Sequence, residues 1–181
     1  MVVQRALLIG NSRWHWAERH QTQWRFDHTP PDQQRLGSEP LVWAAVGPIP
    51  AQLVDGPGRP RIQLQNIPLA GCPPWLGVDR ALGAWEAWRR EQRSGSTADR
   101  GLLLADAGTV LSLTLLDGGG RFQGGQLIPG LGLQLRSMGA GTTLLPQGVQ
   151  ADQVPSELFP VATEAAMVRG VIQSMVTLVQ D

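Results

Sequence analysis

Residues Leu102–Gly125 read LLLADAGTVLSLTLLDGGGRFQGG. Two apolar runs meet at a tip formed by Asp106, Ala107, Gly108 and Thr109, and Gly118-Gly119-Gly120 then turns the chain into a third run, RFQGGQLI. Short apolar runs bounded by glycine turns predict strands joined by tight connections. Glycine at the tip lets the backbone approach a ligand closely. Backbone N–H groups and the Thr109 hydroxyl can cradle phosphate oxygens there, and the Asp106 carboxylate can hold a cation. The same residues also make an ordinary tight turn, so the tip alone leaves both readings open.

A related pattern lies near the N-terminus. VVQRALLI (2–9) predicts a strand, Gly10-Asn11-Ser12 a turn, and RWHWAERH, with Trp14 and Trp16 alternating with polar neighbours, a half-buried return strand. LLIGNSRWHWA and LLADAGTVLSLTL thus share one plan: apolar strand, glycine turn with a hydroxyl residue, returning strand. Between these segments, TPPDQQRLGSEP reads as a loop or loosely ordered link, LVWAAVG as a short buried strand and RIQLQNI as another strand. A helix is expected over 79–92, where Leu82, Trp85 and Trp88 recur every three residues. A second is expected at LGLQLRSM and a third at TEAAMVRGVIQSMVTLVQD, with Thr163 as candidate N-cap and Glu164 at the positive helix end. On that third helix Val168, Val171, Ile172, Met175, Val176 and Val179 form one apolar stripe, with little following sequence to cover it. Strands, helix, strands and helix in this order imply an α/β or α+β chain with a mixed sheet.

Composition narrows the function. Of 181 residues 42% are hydrophobic, enough for a real core, and 15 basic residues balance 15 acidic ones. No basic field exists for nucleic acid, although a small anion needs only an Arg and a few N–H groups. Cys72 is the sole cysteine, which fits a reducing compartment and hence a cytoplasmic protein. The N-terminal apolar run is too short for a signal peptide or membrane span. His15, His20 and His28 lack neighbouring ligands in sequence, which argues against a structural metal site.

The segment PPWLGVDRALGAW places Gly77, Val78, Asp79 and Arg80 at the start of the first helix. An Arg there can pair with a substrate carboxylate, helix N–H groups favour an anion, and Asp79 can accept a proton from an attacking hydroxyl. Alternatively Asp79 caps the helix and Arg80 is solvated. Together, LGVDR, DAGTVLSLTLLDGGGRFQGGQLIPGLGL and TEAAMVRG, following LLIGNSR in the same order, resemble the type III pantothenate kinases. These belong to the acetate kinase, sugar kinase, Hsp70 and actin superfamily, and the resemblance covers nearly the whole chain.

The resemblance implies an α/β fold of two ribonuclease H-like lobes with mixed sheets. Residues 1–100 would form the N-terminal lobe and residues 101–181 a C-terminal lobe that is short relative to the family. It implies transfer of the ATP γ-phosphoryl group to pantothenate, opening coenzyme A synthesis, in a cytoplasmic homodimer that binds neither nucleic acid nor membrane. By this resemblance Asp79 accepts the pantothenate proton, and Gly77, Val78 and Arg80 complete the pantothenate segment. Thr163 reaches pantothenate, in the partner subunit's site. Leu8, Ile9, Gly10, Asn11, Ser12, Arg13, Trp14 and His15 form the first ATP phosphate loop, and Thr109 contacts ATP. Asp106 binds a monovalent cation, potassium or ammonium, and Mg2+ accompanies the nucleotide. The family's first loop reads D-x-G-N-T, so Leu8 stands where the acid belongs and a loss of turnover is expected. An impaired relative with a binding or regulatory role, like the Bvg accessory factors, is the alternative.

Overall fold

Alternation along the first two strands fixes the first sheet. In β1 (Arg5–Ile9) and β2 (Trp14–His20), Leu7, Ile9, Trp14 and Trp16 share one face and are almost fully buried. They pack with Leu36, Leu41, Trp43 and Leu53 into one core. A computed structural model describes residues 4–54, 56–95 and 100–180. The expectations at Val2, Val3, Asp55, residues 96–99 and Asp181 lie outside the described residues.

The sheet order is β3-β2-β1-β4, with β3 at Gln23–Thr29 and β4 at Val42–Ala45. β1 pairs antiparallel with β2 (Leu7 opposite Trp16) and parallel with β4 (Leu7 opposite Trp43), so the sheet is mixed as expected. Strand β3 was not anticipated. Most of it is exposed, so it shows no apolar alternation, and the β2–β3 turn uses Gln21 at φ 55° instead of a glycine. Arg35 ties β3 down through an ion pair to Asp27 (2.6 Å) while also holding Glu18 of β2 (3.0 Å). Arg5 grips the same Glu18 at 3.1 Å, and both guanidiniums stack on Trp16.

TPPDQQRLGSEP is a loop, one of the two readings its sequence gives. The Asp32 carboxylate accepts the N–H groups of Gln34 and Arg35, closing a short 3-10 turn that buries Leu36. The expectation for RIQLQNI needs correction, because it is not a strand. Arg61 alone bridges Trp43, and the Asn66 side chain accepts the Gln63 N–H at 2.8 Å to close a second 3-10 turn. Helix α1 (Val78–Arg93) forms as expected, and buries Val78, Ala81 and Ala84.

The remaining strands, β5 (Leu102–Ala107), β6 (Val110–Leu116) and β7 (Phe122–Pro129), form a second sheet in sequence order. Both apolar runs form strands as expected; central β6 is buried, whereas β5 is mostly exposed. Helices α2 (Leu131–Gly141) and α3 (Thr163–Gln180) follow. Leu135, Met167, Val168 and Val171 are their shared core, with Ile172 and Met175 packed beside it. Val176 and Val179 remain exposed at 43% and 41%. Thr163 is the first helical residue and not the cap, because the Ala162 carbonyl takes the first helical N–H, from Ala166.

The chain divides into two units, residues 1–102 with 116–123, and residues 103–115 with 124–181. Among the described residues no helix is long and apolar enough to cross a membrane.

Candidate active site

In the first unit, β1 ends in a tight corner. The Gly10 N–H donates to the Arg13 carbonyl at 2.9 Å, leaving Asn11, Ser12 and Arg13 exposed at the tip. Ile9 and Trp14 on either side are buried in the core and hold the corner's base. Leu8 and His15 are register partners on the opposite sheet face and are half-buried. The Ile9 carbonyl accepts from Val46 (2.9 Å) and Gly47 (3.2 Å), which brings Gly47 onto the corner. A Cβ added at Gly47 would collide with the Gly10 carbonyl.

The start of α1 adjoins the same dipeptide. Gly77 is the N-cap and carries no side-chain cap, and its carbonyl accepts the Ala81 N–H at 3.1 Å. The carboxylate of Asp79 folds back over the helix start, where Oδ1 accepts the Arg80 N–H at 2.8 Å. A Cβ on Gly77 would stand 2.5 Å from that oxygen and 3.6 Å from Cγ1 of Val46. Glycine is therefore required for Asp79 to take this position, and Asp79 is not the cap. Val46 and Gly47, overlooked in the sequence except as a strand end, join the corner to the Gly77–Arg80 segment. Asp79 and Arg80 are both half-buried, which suits groups that meet a ligand.

The second unit contains a corner of similar build. Asp106 lies in β5 two residues before Gly108, and the Gly108 N–H donates to the Val110 carbonyl at 3.2 Å. Gly130, the N-cap of α2, donates its N–H to the Thr109 carbonyl at 2.9 Å. A Cβ at Gly130 would strike the Gly108 carbonyl, as one at Gly47 would strike Gly10. Asp106 and Thr109 are exposed, and Thr163 occupies the exposed start of α3. Asp79 and the first corner thus belong to one unit, while Asp106, Thr109 and Thr163 belong to the other.

Among the described residues, no three His, Cys, Asp or Glu side chains converge on a metal position. Burial pushes the Cys72 thiol above its ordinary range, which suits an inert side chain.

The family model for type III pantothenate kinase matches residues 60–181. A type III pantothenate kinase of Synechococcus elongatus is 35% identical, across 92% of this chain and 71% of that protein. One from a Nostoc species is 34% identical across 97% and 74%. Among solved structures, a protein from Campylobacter jejuni described as a Baf family transcriptional activator superposes with a TM-score of 0.67 at 17% identity. It covers 98% of this chain and 78% of its own, a likeness of fold. On the family match and these identities, over a chain carrying two glycine-packed corners and a Gly-x-Asp-Arg helix start, this protein belongs to the type III pantothenate kinase family.

Proposed function

We propose that the chain transfers the γ-phosphoryl group of ATP to the primary hydroxyl of pantothenate. The observation that carries this reading is the link through Val46 and Gly47. It places a glycine corner suited to phosphate beside a helix start bearing Asp79. In this reading Asp79 takes the hydroxyl proton as the oxygen attacks phosphorus, and ADP leaves. Gly77, Val78 and Arg80 bind pantothenate, with Arg80 near its carboxylate. Residues Leu8 to His15 and Thr109 bind ATP, and Thr163 contributes to the pantothenate site of a partner subunit in a homodimer.

Phosphoryl transfer is catalysed mainly by positioning and neutralisation of charge. Mg2+ would arrive on the nucleotide's own phosphate oxygens. Such an ion neutralises phosphate charge. Asp106, with hard oxygen donors, is the group we assign to the monovalent cation. Residues 1–100 and 101–181 are read as the two ribonuclease H-like lobes. The β3-β2-β1-β4 order, with β1 and β4 parallel, supports this for the first. A cytoplasmic setting accords with the single Cys72.

The regulatory alternative draws on Leu8 and on a C-terminal lobe short relative to the family, and a fold likeness at 17% identity adds no activity to it. A coupled assay of ADP release with ATP, Mg2+, K+ and pantothenate tests the proposal. Release should require pantothenate and should fall when K+ is replaced by a larger cation. Pantothenate-independent release, or none, would defeat it.

A further inference from the structure

Strand β3 is a free edge of the first sheet. Its seven residues pair with β2 in unbroken register, from Thr29 opposite Trp14 to Gln23 opposite His20. A free edge invites another strand, and proteins blunt it with proline, lysine, a bulge or a covering loop. QWRFDHT contains neither proline nor lysine, its register has no bulge, and all but its last residue are exposed.

Backbone hydrogen bonds fix which groups face that edge. The Arg19 N–H donates to the Gln4 carbonyl at 2.7 Å, so Arg19 directs its backbone groups to β1. Alternation along the strand then turns those of Glu18 and His20 toward β3. Their register partners, Arg25 and Gln23, point back to β2. Trp24, Phe26 and His28 therefore present N–H and C=O to the free edge. Side chains alternate between the two faces of the sheet. Trp24 and Phe26 stand on one face, 41% and 73% exposed. Arg25 and Asp27 stand on the other. Asp27 binds Arg35 yet keeps 54% of its side chain exposed. Among the described residues Arg25 makes no ion pair.

We propose that a second copy of the chain docks on this edge, β3 against β3 in antiparallel register, so that the two sheets become one. A two-fold axis normal to the sheet keeps each face on its own side, so the register centres on one residue. Centred on Phe26, it sets Arg25 opposite the partner subunit's Asp27, and Asp27 opposite the partner subunit's Arg25. Centring on Arg25 or on Asp27 opposes like charges. Centring farther out shortens the ladder and leaves both charges unmatched. In the Phe26 register the outward groups of Trp24, Phe26 and His28 all find partners, and each opposed pair exchanges two backbone bonds. The charges that turn other strands away thus fit a copy of themselves. The contact is additional to the homodimer that Thr163 serves, and it holds whether or not the chain is a kinase.

Amide hydrogen exchange, carried out at millimolar and at low micromolar protein, quenched and read by NMR, tests this. The Trp24 and Phe26 amides should be protected at the higher concentration and open at the lower. Those of Arg25 and Asp27, bonded to β2, should be protected at both. Phe26→Lys sets like charges at the axis. It should abolish the protection of Trp24 and keep that of Arg25 and Asp27, the sign that β3 still pairs with β2. Arg25→Glu sets an acid opposite Asp27 at both symmetric contacts and should raise the dissociation constant in sedimentation about tenfold. Open Trp24 and Phe26 amides in the concentrated wild-type protein overturn the inference, even beside a sedimenting dimer, because that dimer is then joined elsewhere. Trp24 protection that survives Phe26→Lys, or an unchanged dissociation constant in Arg25→Glu, overturns it as well.

Discussion

Gly47 rests directly on the carbonyl of Gly10, and its own N–H reaches the Ile9 carbonyl at 3.2 Å. No side chain fits between them, so the corner after β1 takes its shape from backbone packed on backbone. Gly47→Ala must push the β4 end away from the corner. An overpacked contact of this kind costs about 1–3 kcal/mol. A urea titration should show that loss, and the KM for ATP should rise in the same variant. Unchanged stability would mean the corner is softer than the packing indicates.

Gly120 gives a prediction that separates stability from substrate contact. It has φ +74°, and a Cβ there would stand 2.6–2.9 Å from the Trp88 ring of α1. Around it, the Asp117 carboxylate accepts N–H groups of Gly119 and Arg121, and these bonds hold its pKa below the usual carboxylate range. Gly120→Ala combines a strained backbone with a ring displaced from the helix, at about 2 kcal/mol or more. Thermal unfolding and Trp fluorescence should both report the change.

The sequence revealed those elements whose residues announce themselves locally. Trp14 and Trp16 alternate, the Gly-x-Asp-Arg segment opens a helix, and Asp106 to Thr109 make a tight turn. It missed β3 because pairing with β2 and the Arg35–Asp27 ion pair hold that strand without an apolar face. RIQLQNI misled because its alternation imitates a strand while Asn66 closes a turn. In the candidate site, the roles of Val46, Gly47 and Gly130 come from contacts between segments distant in sequence, which no local pattern encodes.

Glu18 supplies a pH dependence. Burial alone would raise its pKa, but hydrogen bonds and charge from Arg35 and then Arg5 outweigh it and hold the carboxyl below the ordinary range. A depressed folded-state pKa means stability that is present above the ordinary glutamate value and lost as pH falls through the lower folded one. Glu18→Gln should therefore cost on the order of 1 kcal/mol at neutral pH. The difference from wild type should shrink below about pH 4, where ordinary carboxylates protonate. Unfolding curves across that range check the sign.

Leu8 tests the missing acid. Leu8→Asp sets a carboxylate beside the first corner, where phosphate charge and magnesium would gather. Turnover should rise about tenfold, or ~1.4 kcal/mol of transition-state stabilisation. An equal or lower rate would show that this corner works through its backbone and His15 without an acid.

In the proposed reaction the Asp79 carboxylate, held beside the first corner, primes the pantothenate hydroxyl for attack on ATP. Phosphorus-31 NMR of a reaction containing ATP, Mg2+, K+ and pantothenate observes the product bond itself. A phosphomonoester signal should grow as γ-phosphate disappears, and Asp79→Asn with intact circular dichroism should slow it about 10²–10⁴-fold. No phosphomonoester from the wild-type protein would rule out the kinase reaction, and equal rates from the two proteins would rule out Asp79 as its base.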